Sequence, residues 1–200
     1  MEPIRICFFG DSFVNGTGDD ACLGWVGRAC AAARQVGRDV TCYNLGIRGD
    51  TTAHVLRRWR AEAAARLLPE HDGRFLFSFG ANDCIALPNG TGVRVPPDAA
   101  LANAEAILTA ARAWRPTLML GPLPVGEDAA NQRIVALSAA FAALCTRLGV
   151  PYLSLFERVA ASRIWPREVA AGDGAHPNIG GYTELADAFV QWPAWRDWVG

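Results

Sequence analysis

Ile4-Arg5-Ile6-Cys7-Phe8-Phe9-Gly10-Asp11-Ser12 is the stretch whose reading decides the fold class. An apolar run broken only by Arg5 ends abruptly in a glycine, an acid and a serine. The run is too short for a helix, and it lacks the apolar-polar alternation of a strand with one wet face. It reads as a strand, 4–9, covered on both sides, which is the condition of strands in a parallel sheet. Further runs of this kind are Val40–Asn44, Arg74–Phe79, Thr117–Leu120 and Pro151–Leu155. Between them the spacing is helical. Leu56, Trp59, Ala63 and Leu67 make one stripe. Leu101, Ala104, Leu108 and Ala111 make another, in a helix starting near Asp98. Ile134, Leu137, Phe141, Leu144 and Leu148 make a third, which Gly149 can end. A helix also fits between Gly24 and Val36, and another follows Pro177. Strand and helix alternate throughout, so the expectation is one α/β domain over residues 1–200, with a five-stranded parallel sheet and right-handed crossovers.

Composition agrees with a packed domain. The chain has 200 residues, 51% of them apolar, which argues against disorder. With 19 basic and 20 acidic residues the net charge is −1, so no nucleic-acid footprint is expected. No apolar stretch is long enough to span a bilayer. The start, Met1-Glu2-Pro3-Ile4-Arg5, lacks the basic and apolar regions of a secretory leader. The cysteines at 7, 22, 30, 42, 84 and 145 form no C-x-x-C pair. They read as reduced thiols in a cytoplasmic protein and not as zinc ligands. Composition sets no oligomeric state.

The unusual residues sit in the turns after the strands. They are Gly10-Asp11-Ser12, then Gly46-Ile47-Arg48-Gly49-Asp50, then Gly80-Ala81-Asn82-Asp83, and finally Gly172-Asp173-Gly174-Ala175-His176-Pro177, reached after an irregular stretch. In an open parallel sheet such turns emerge on one edge, where ligands bind near the reversal of strand order. Ser12 needs a base before its hydroxyl can attack. Of the three histidines, His54, His71 and His176, only His176 lies in a Gly-rich loop with an acid three residues earlier. Asp173 can accept from one ring nitrogen while the other faces Ser12, the logic of a Ser-His-Asp triad. An oxyanion formed by attack needs donors. The Asn82 amide, the Gly49 N–H and the Ser12 N–H are the candidates, with Gly46 competing with Gly49.

These residues resemble the blocks of the SGNH (GDSL-like) esterase/lipase family. Phe9-Gly10-Asp11-Ser12 resembles its G-D-S block, and Asn44-Leu45-Gly46-Ile47-Arg48-Gly49-Asp50-Thr51-Thr52 its second block, whose register favours Gly49 over Gly46. Gly80-Ala81-Asn82-Asp83 matches G-x-N-D, and Asp173-Gly174-Ala175-His176-Pro177 matches D-x-x-H-P. The blocks lie in the family's order and span residues 9–177. The resemblance implies a three-layer α/β/α flavodoxin-like sandwich. It also implies ester or thioester hydrolysis without metal or cofactor, through an acyl-enzyme on Ser12, with small to medium acyl chains as substrate. One departure is Phe13, which stands where the family has leucine and is expected to shape the pocket wall.

Other readings stay beside this one. A carbohydrate O-deacetylase or a lysophospholipase would share the same motifs. A non-catalytic flavodoxin-like binding module leaves the D-x-x-H and G-x-N-D blocks unexplained. A metal phosphoesterase would gather Asp11, Asp83 and Asp173. Otherwise Asp11, Asp50 and Asp83 are expected to hold their loops rigid by accepting backbone N–H bonds. His54 and His71 are expected to face solvent, Cys84 to be a bystander, Trp59 to enter the core, and Trp192, Trp195 and Trp198 to pack the C-terminal segment. The cleft is expected to be open, with the Gly- and Pro-rich loop 85–97 as its wall or lid.

Overall fold

The computed structural model describes residues 3–199. In chain order the elements are β1 (Ile4–Gly10), α1 (Ser12–Asn15), α2 (Gly24–Gln35), β2 (Val40–Gly46), α3 (Thr52–Ala64) and β3 (Asp72–Ser78). A short 3-10 turn (Asn82–Cys84) comes next. After it come α4 (Pro97–Trp114), β4 (Thr117–Leu120), α5 (Asp128–Leu148), β5 (Tyr152–Leu153), α6 (Phe156–Ala160), α7 (Trp165–Ala171), α8 (Ile179–Phe189) and α9 (Pro193–Val199). The strands form one sheet in the order β2-β1-β3-β4-β5, every pair parallel. The chain leaves β1 toward β2 and then returns past it to β3. Strand order therefore reverses between β1 and β3, the flavodoxin-like switch point.

Phe8 and Phe9 show why the first strand decides the architecture. Neighbours on a strand point to opposite faces, and both rings are 0% exposed. Phe8 meets Trp25 of α2 at 6.0 Å and Trp195 of α9 at 6.2 Å, while Phe9 meets Trp59 of α3 at 6.4 Å. Helices therefore cover both faces of the sheet. α2 packs on α8, and α4 packs on both α3 and α5. Taking a phenylalanine ring fully out of water contributes roughly 1.5–3 kcal/mol, so a polar residue at either position would cost one whole layer contact.

Local signals set the helix ends. Pro97 occupies the first turn of α4, where its missing N–H costs nothing. Gly149 ends α5 at φ +65°. α3 starts with a capping box in which Thr51 N–H donates to His54 Nδ1 at 3.2 Å, so His54 is a cap as well as a half-exposed surface residue. His71 is not solvent-facing as expected. It is half-buried, with Nδ1 2.9 Å from Arg5 Nη1. Trp195 is buried, Trp192 packs on Phe189, and Trp198 lies under Arg74.

Two segments differ from expectation. The expected strand 151–155 shrinks to Tyr152–Leu153, because β5 is an edge strand paired with β4, which is itself short. The stretch read as irregular before Gly172 holds α6 and α7. At five and seven residues they are too short to display a helical stripe.

Candidate active site

β1 delivers the chain to the sheet edge, and Asp11 turns it. The Asp11 side chain accepts from Phe13 N–H at 3.0 Å, which starts α1 with Ser12 as its first residue. Ser12 Oγ lies 2.7 Å from His176 Nε2, and His176 Nδ1 lies 2.8 Å from Asp173 Oδ2. Residues 164 positions apart are thus in direct contact. Ser12 is 4% exposed and His176 8%, so both catalytic candidates are buried. The other Asp173 oxygen, Oδ1, accepts from the N–H groups of Ala175 and His176 at 3.0 and 2.9 Å, an Asx-type turn. Burial alone would raise the Asp173 carboxyl. The His176 N–H, the imidazole and the Ala175 N–H outweigh it and hold the group at about 2. Asp173 is therefore an anion near neutrality and can only accept, so Nδ1 carries the proton. The Nε2 lone pair is left facing the Ser12 hydroxyl.

The His176 loop is braced from several sides. Glu168 of α7 accepts three backbone N–H bonds at the start of α8, from Asn178 and Gly181 at 2.8 Å and Gly180 at 3.1 Å. Asn178 ties this end to the loop after α1, accepting from Asp20 N–H at 3.0 Å and donating to Asp20 Oδ2 at 2.8 Å. The Tyr182 hydroxyl donates to Thr17 C=O at 2.7 Å. The serine-bearing and histidine-bearing segments are thereby locked together. Phe13 does not line a pocket wall. It is 3% exposed and lies beneath the imidazole, 5.2 Å from the His176 ring and stacked on Trp165 at 5.9 Å. The first helical turn points residue 13 inward, so the departure from leucine changes the floor under His176.

Gly49 and Asn82 follow β2 and β3, the strands that flank β1 in the sheet. A side chain at Gly46 would collide with Asn15 N at 2.2 Å, and its N–H already donates to Asn44 Oδ1. Gly46 is there for packing. Gly49, at φ +84°, has open space around it, and its N–H and that of Ser12 have no acceptor among the described residues. Asn82 Nδ2 donates one hydrogen to Asp50 C=O at 3.0 Å, which leaves the other. Asp83 is fully buried and accepts from the N–H and hydroxyl of Thr52, which joins the second and third blocks. Asp50 departs from expectation. Its carboxylate takes the Arg58 guanidinium at 2.7 Å and not a backbone N–H, and Arg58 also donates to Gly10 C=O. Asp11, Asp83 and Asp173 thus face different partners. Among the described residues no three His, Cys, Asp or Glu side chains are placed to hold a metal.

The sequence pattern of the GDSL-like lipase/acylhydrolase family matches residues 8–183. The chain belongs to that family. It is an ester hydrolase. No curated protein matches it. Among solved structures, a lipase/acylhydrolase from Enterococcus faecalis is similar at 22% identity and a TM-score of 0.76, covering 98% of this chain and 97% of that one. A catalytic mutant of Axe2, an acetylxylan esterase from Geobacillus stearothermophilus, is similar at 17% identity and a TM-score of 0.77, covering 96% and 94%. At such identities the likeness carries the fold. No helix among the described residues is long and apolar enough to cross a membrane.

Several residues of this GDSL-like site were not legible in the sequence. Arg48 donates to Asp173 Oδ2 at 2.9 Å from an exposed position. Arg94, in the 85–97 loop, reaches Asn82 and Gly49. That loop is pinned by an Ala86–Val93 bridge and by Val95 N–H to Asp83 C=O. A cavity of about 490 Å³ opens beside the His176 loop, lined in part by Thr17, Arg48, Glu168, Asn178 and Ile179. Cys84 is buried, which pushes its thiol up to about 12 and keeps it unreactive.

Asp11 yields a stability prediction. Burial lifts its carboxyl from 3.8 to about 7, against the pull of the Phe13 N–H. The folded state then holds a proton that the unfolded chain releases, so this group's contribution to stability falls as pH rises from about 4 to 7. Asp11→Asn keeps the acceptor for Phe13 and removes the titration. In urea titrations, its stability relative to wild type should improve by more than about 1 kcal/mol between pH 5 and pH 8. A difference independent of pH would contradict this.

Proposed function

We propose that this enzyme hydrolyses carboxylic esters, thioesters included, of small to medium acyl chains through an acyl-enzyme on Ser12. The observation that carries the reading is the unbroken chain from Ser12 Oγ through both His176 nitrogens to Asp173. As Oγ attacks the acyl carbon, its proton passes to Nε2, and the imidazolium is stabilised by the Asp173 anion. The carbonyl oxygen becomes an oxyanion. The Ser12 and Gly49 N–H groups and the free Asn82 N–H receive it. His176 then gives its proton to the departing alkoxide or thiolate. A water molecule, deprotonated by the same nitrogen, attacks the acyl-enzyme and releases the acid.

An acetylated carbohydrate is the second reading. The cavity beside His176 presents Thr17, Arg48, Glu168 and Asn178, groups suited to sugar hydroxyls, and solved structures similar to this chain include acetylxylan esterases. The six free thiols support a reducing, cytoplasmic setting. The test is a series of aryl esters of graded acyl length, run beside an acetylated xylo-oligosaccharide. Turnover of the aryl esters should be lost when His176 is replaced by alanine, since no base is then left to take the Ser12 proton. Faster acetate release from the oligosaccharide would select the second reading. No turnover of any ester, or full turnover in His176→Ala, would overturn both.

A further inference from the structure

The 85–97 loop brings a guanidinium to the far side of the proposed oxyanion hole. Arg94 Nη1 donates to Asn82 Oδ1 at 3.1 Å, and Nη2 donates to Gly49 C=O at 2.7 Å. One planar fork therefore grips both groups assigned to the oxyanion, each by its acceptor end. The opposite end of the Asn82 amide, Nδ2, donates to Asp50 C=O. Because a guanidinium can only donate, the amide cannot turn end for end: a flip would set its NH₂ against Arg94 and its oxygen against the Asp50 carbonyl.

We propose that Arg94 is a positioning residue of the oxyanion hole, holding the Asn82 amide and the Gly49 turn in their donating orientation. The inference rests on the reading of Asn82 and Gly49 as oxyanion donors. Two physical effects follow from the contacts. Donation into Asn82 Oδ1 draws charge from the amide nitrogen, so the remaining N–H donates more strongly, as hydrogen bonds in series do. The guanidinium also stays charged at working pH, and both of its partners are neutral oxygens, so its field favours an anion forming at the hole. The arm is stiff at its root. Arg94 N–H donates to Ile85 C=O at 2.9 Å, and Val95 N–H to Asp83 C=O at 3.2 Å, so the loop segment that carries the arginine is fastened next to Asn82 itself. The side chain is exposed, and its removal leaves no buried hole.

The experiment compares Arg94→Ala, Arg94→Lys, Asn82→Ala and the Arg94→Ala/Asn82→Ala double variant on one activated aryl ester. It also measures inhibition by phenylboronic acid, which forms a tetrahedral adduct on the serine, and thermal melting. Arg94→Ala should lower kcat by about 10–100-fold, the usual penalty for misplaced catalytic groups, with KM within about twofold and melting unchanged. Boronate affinity should fall by the same factor, since the loss is confined to the tetrahedral state. Arg94→Lys should recover part of the rate, because an ammonium keeps the charge but cannot grip both oxygens. Asn82→Ala should lower kcat by about 10²–10³-fold, and Arg94→Ala added to it should cost much less than it does alone. An unchanged kcat in Arg94→Ala, a raised KM in place of a lowered kcat, or full additivity in the double variant would overturn the role of Arg94. The proposed function would survive that result as long as Asn82→Ala is impaired. Should Asn82→Ala itself keep its kcat, the oxyanion reading fails and this inference fails with it.

Discussion

Replacing Ser12 with alanine is expected to abolish labelling by a serine-directed phosphonate and to cut turnover by about 10³-fold or more. The reason is geometric. Ser12 Oγ is the hydroxyl placed 2.7 Å from His176 Nε2, at the end of the strand that borders the switch point. The substitution removes one oxygen from a site that is 4% exposed, and α1 keeps its start because that depends on the Asp11 side chain. Folding should therefore be unaffected, and circular dichroism should superimpose on wild type. A residual rate above that in water should persist, since the donors proposed at Gly49 and Asn82 remain. His176→Ala should lose about as much, and the double variant no more than either single one, because the two groups act as a unit. Mass spectrometry of the phosphonylated wild-type protein should place the adduct on Ser12. An adduct on another serine would remove Ser12 from the mechanism.

The architecture was legible because burial leaves a periodic trace. The doubly covered run at Ile4–Phe9 announced a parallel sheet, and the stripes of α3, α4 and α5 supplied its helices. Part of the candidate site, the contact of Ser12 with His176, was legible too. Topology collects the turns after β1, β2 and β3 on one edge, whereas His176, between α7 and α8, could be paired with Ser12 only through its Asp173-x-x-His176 spacing and the choice among three histidines. What escaped was of two kinds. Short or marginal elements such as α6, α7 and β5 contain too few residues for a pattern. Single long polar side chains acting across the fold leave no pattern at all. Glu168 reaches three N–H groups at the head of α8, and Arg94 reaches back twelve residues to Asn82. A weak signal existed for Glu168. A side chain at Gly180 would meet its Oε1 at 2.6 Å, so the Gly180-Gly181 pair marks a close approach, though not by what. Thr51-x-x-His54 hid its capping box because histidine stands where glutamate or glutamine is usual.

Asp173→Asn should lower kcat/KM by about 10⁴-fold near neutral pH, although it is isosteric and the loop keeps its shape. The argument follows from how the two carboxylate oxygens are used. Oδ1 accepts from the Ala175 and His176 N–H groups, and Oδ2 faces His176 Nδ1. Asparagine has one acceptor oxygen, and two backbone donors claim it, so the amide NH₂ must take the place of Oδ2. A donor opposite Nδ1 requires Nδ1 to be the acceptor, which moves the imidazole proton to Nε2. In that tautomer Nε2 cannot receive the Ser12 proton, and the base is lost while every heavy atom stays in place. Arg48 provides the control. It also touches Oδ2, at 2.9 Å, but from a side chain 66% exposed, where an ion pair contributes about 0–1 kcal/mol. Arg48→Gln should therefore change the rate by no more than about fivefold, the factor equivalent to 1 kcal/mol. NMR of the Nδ1 and Nε2 resonances of His176 gives the direct readout, with the ring proton on Nδ1 in wild type and on Nε2 in Asp173→Asn. An Asp173→Asn enzyme of near-normal rate, or one whose proton stays on Nδ1, would show that Asp173 does not set the state of the base.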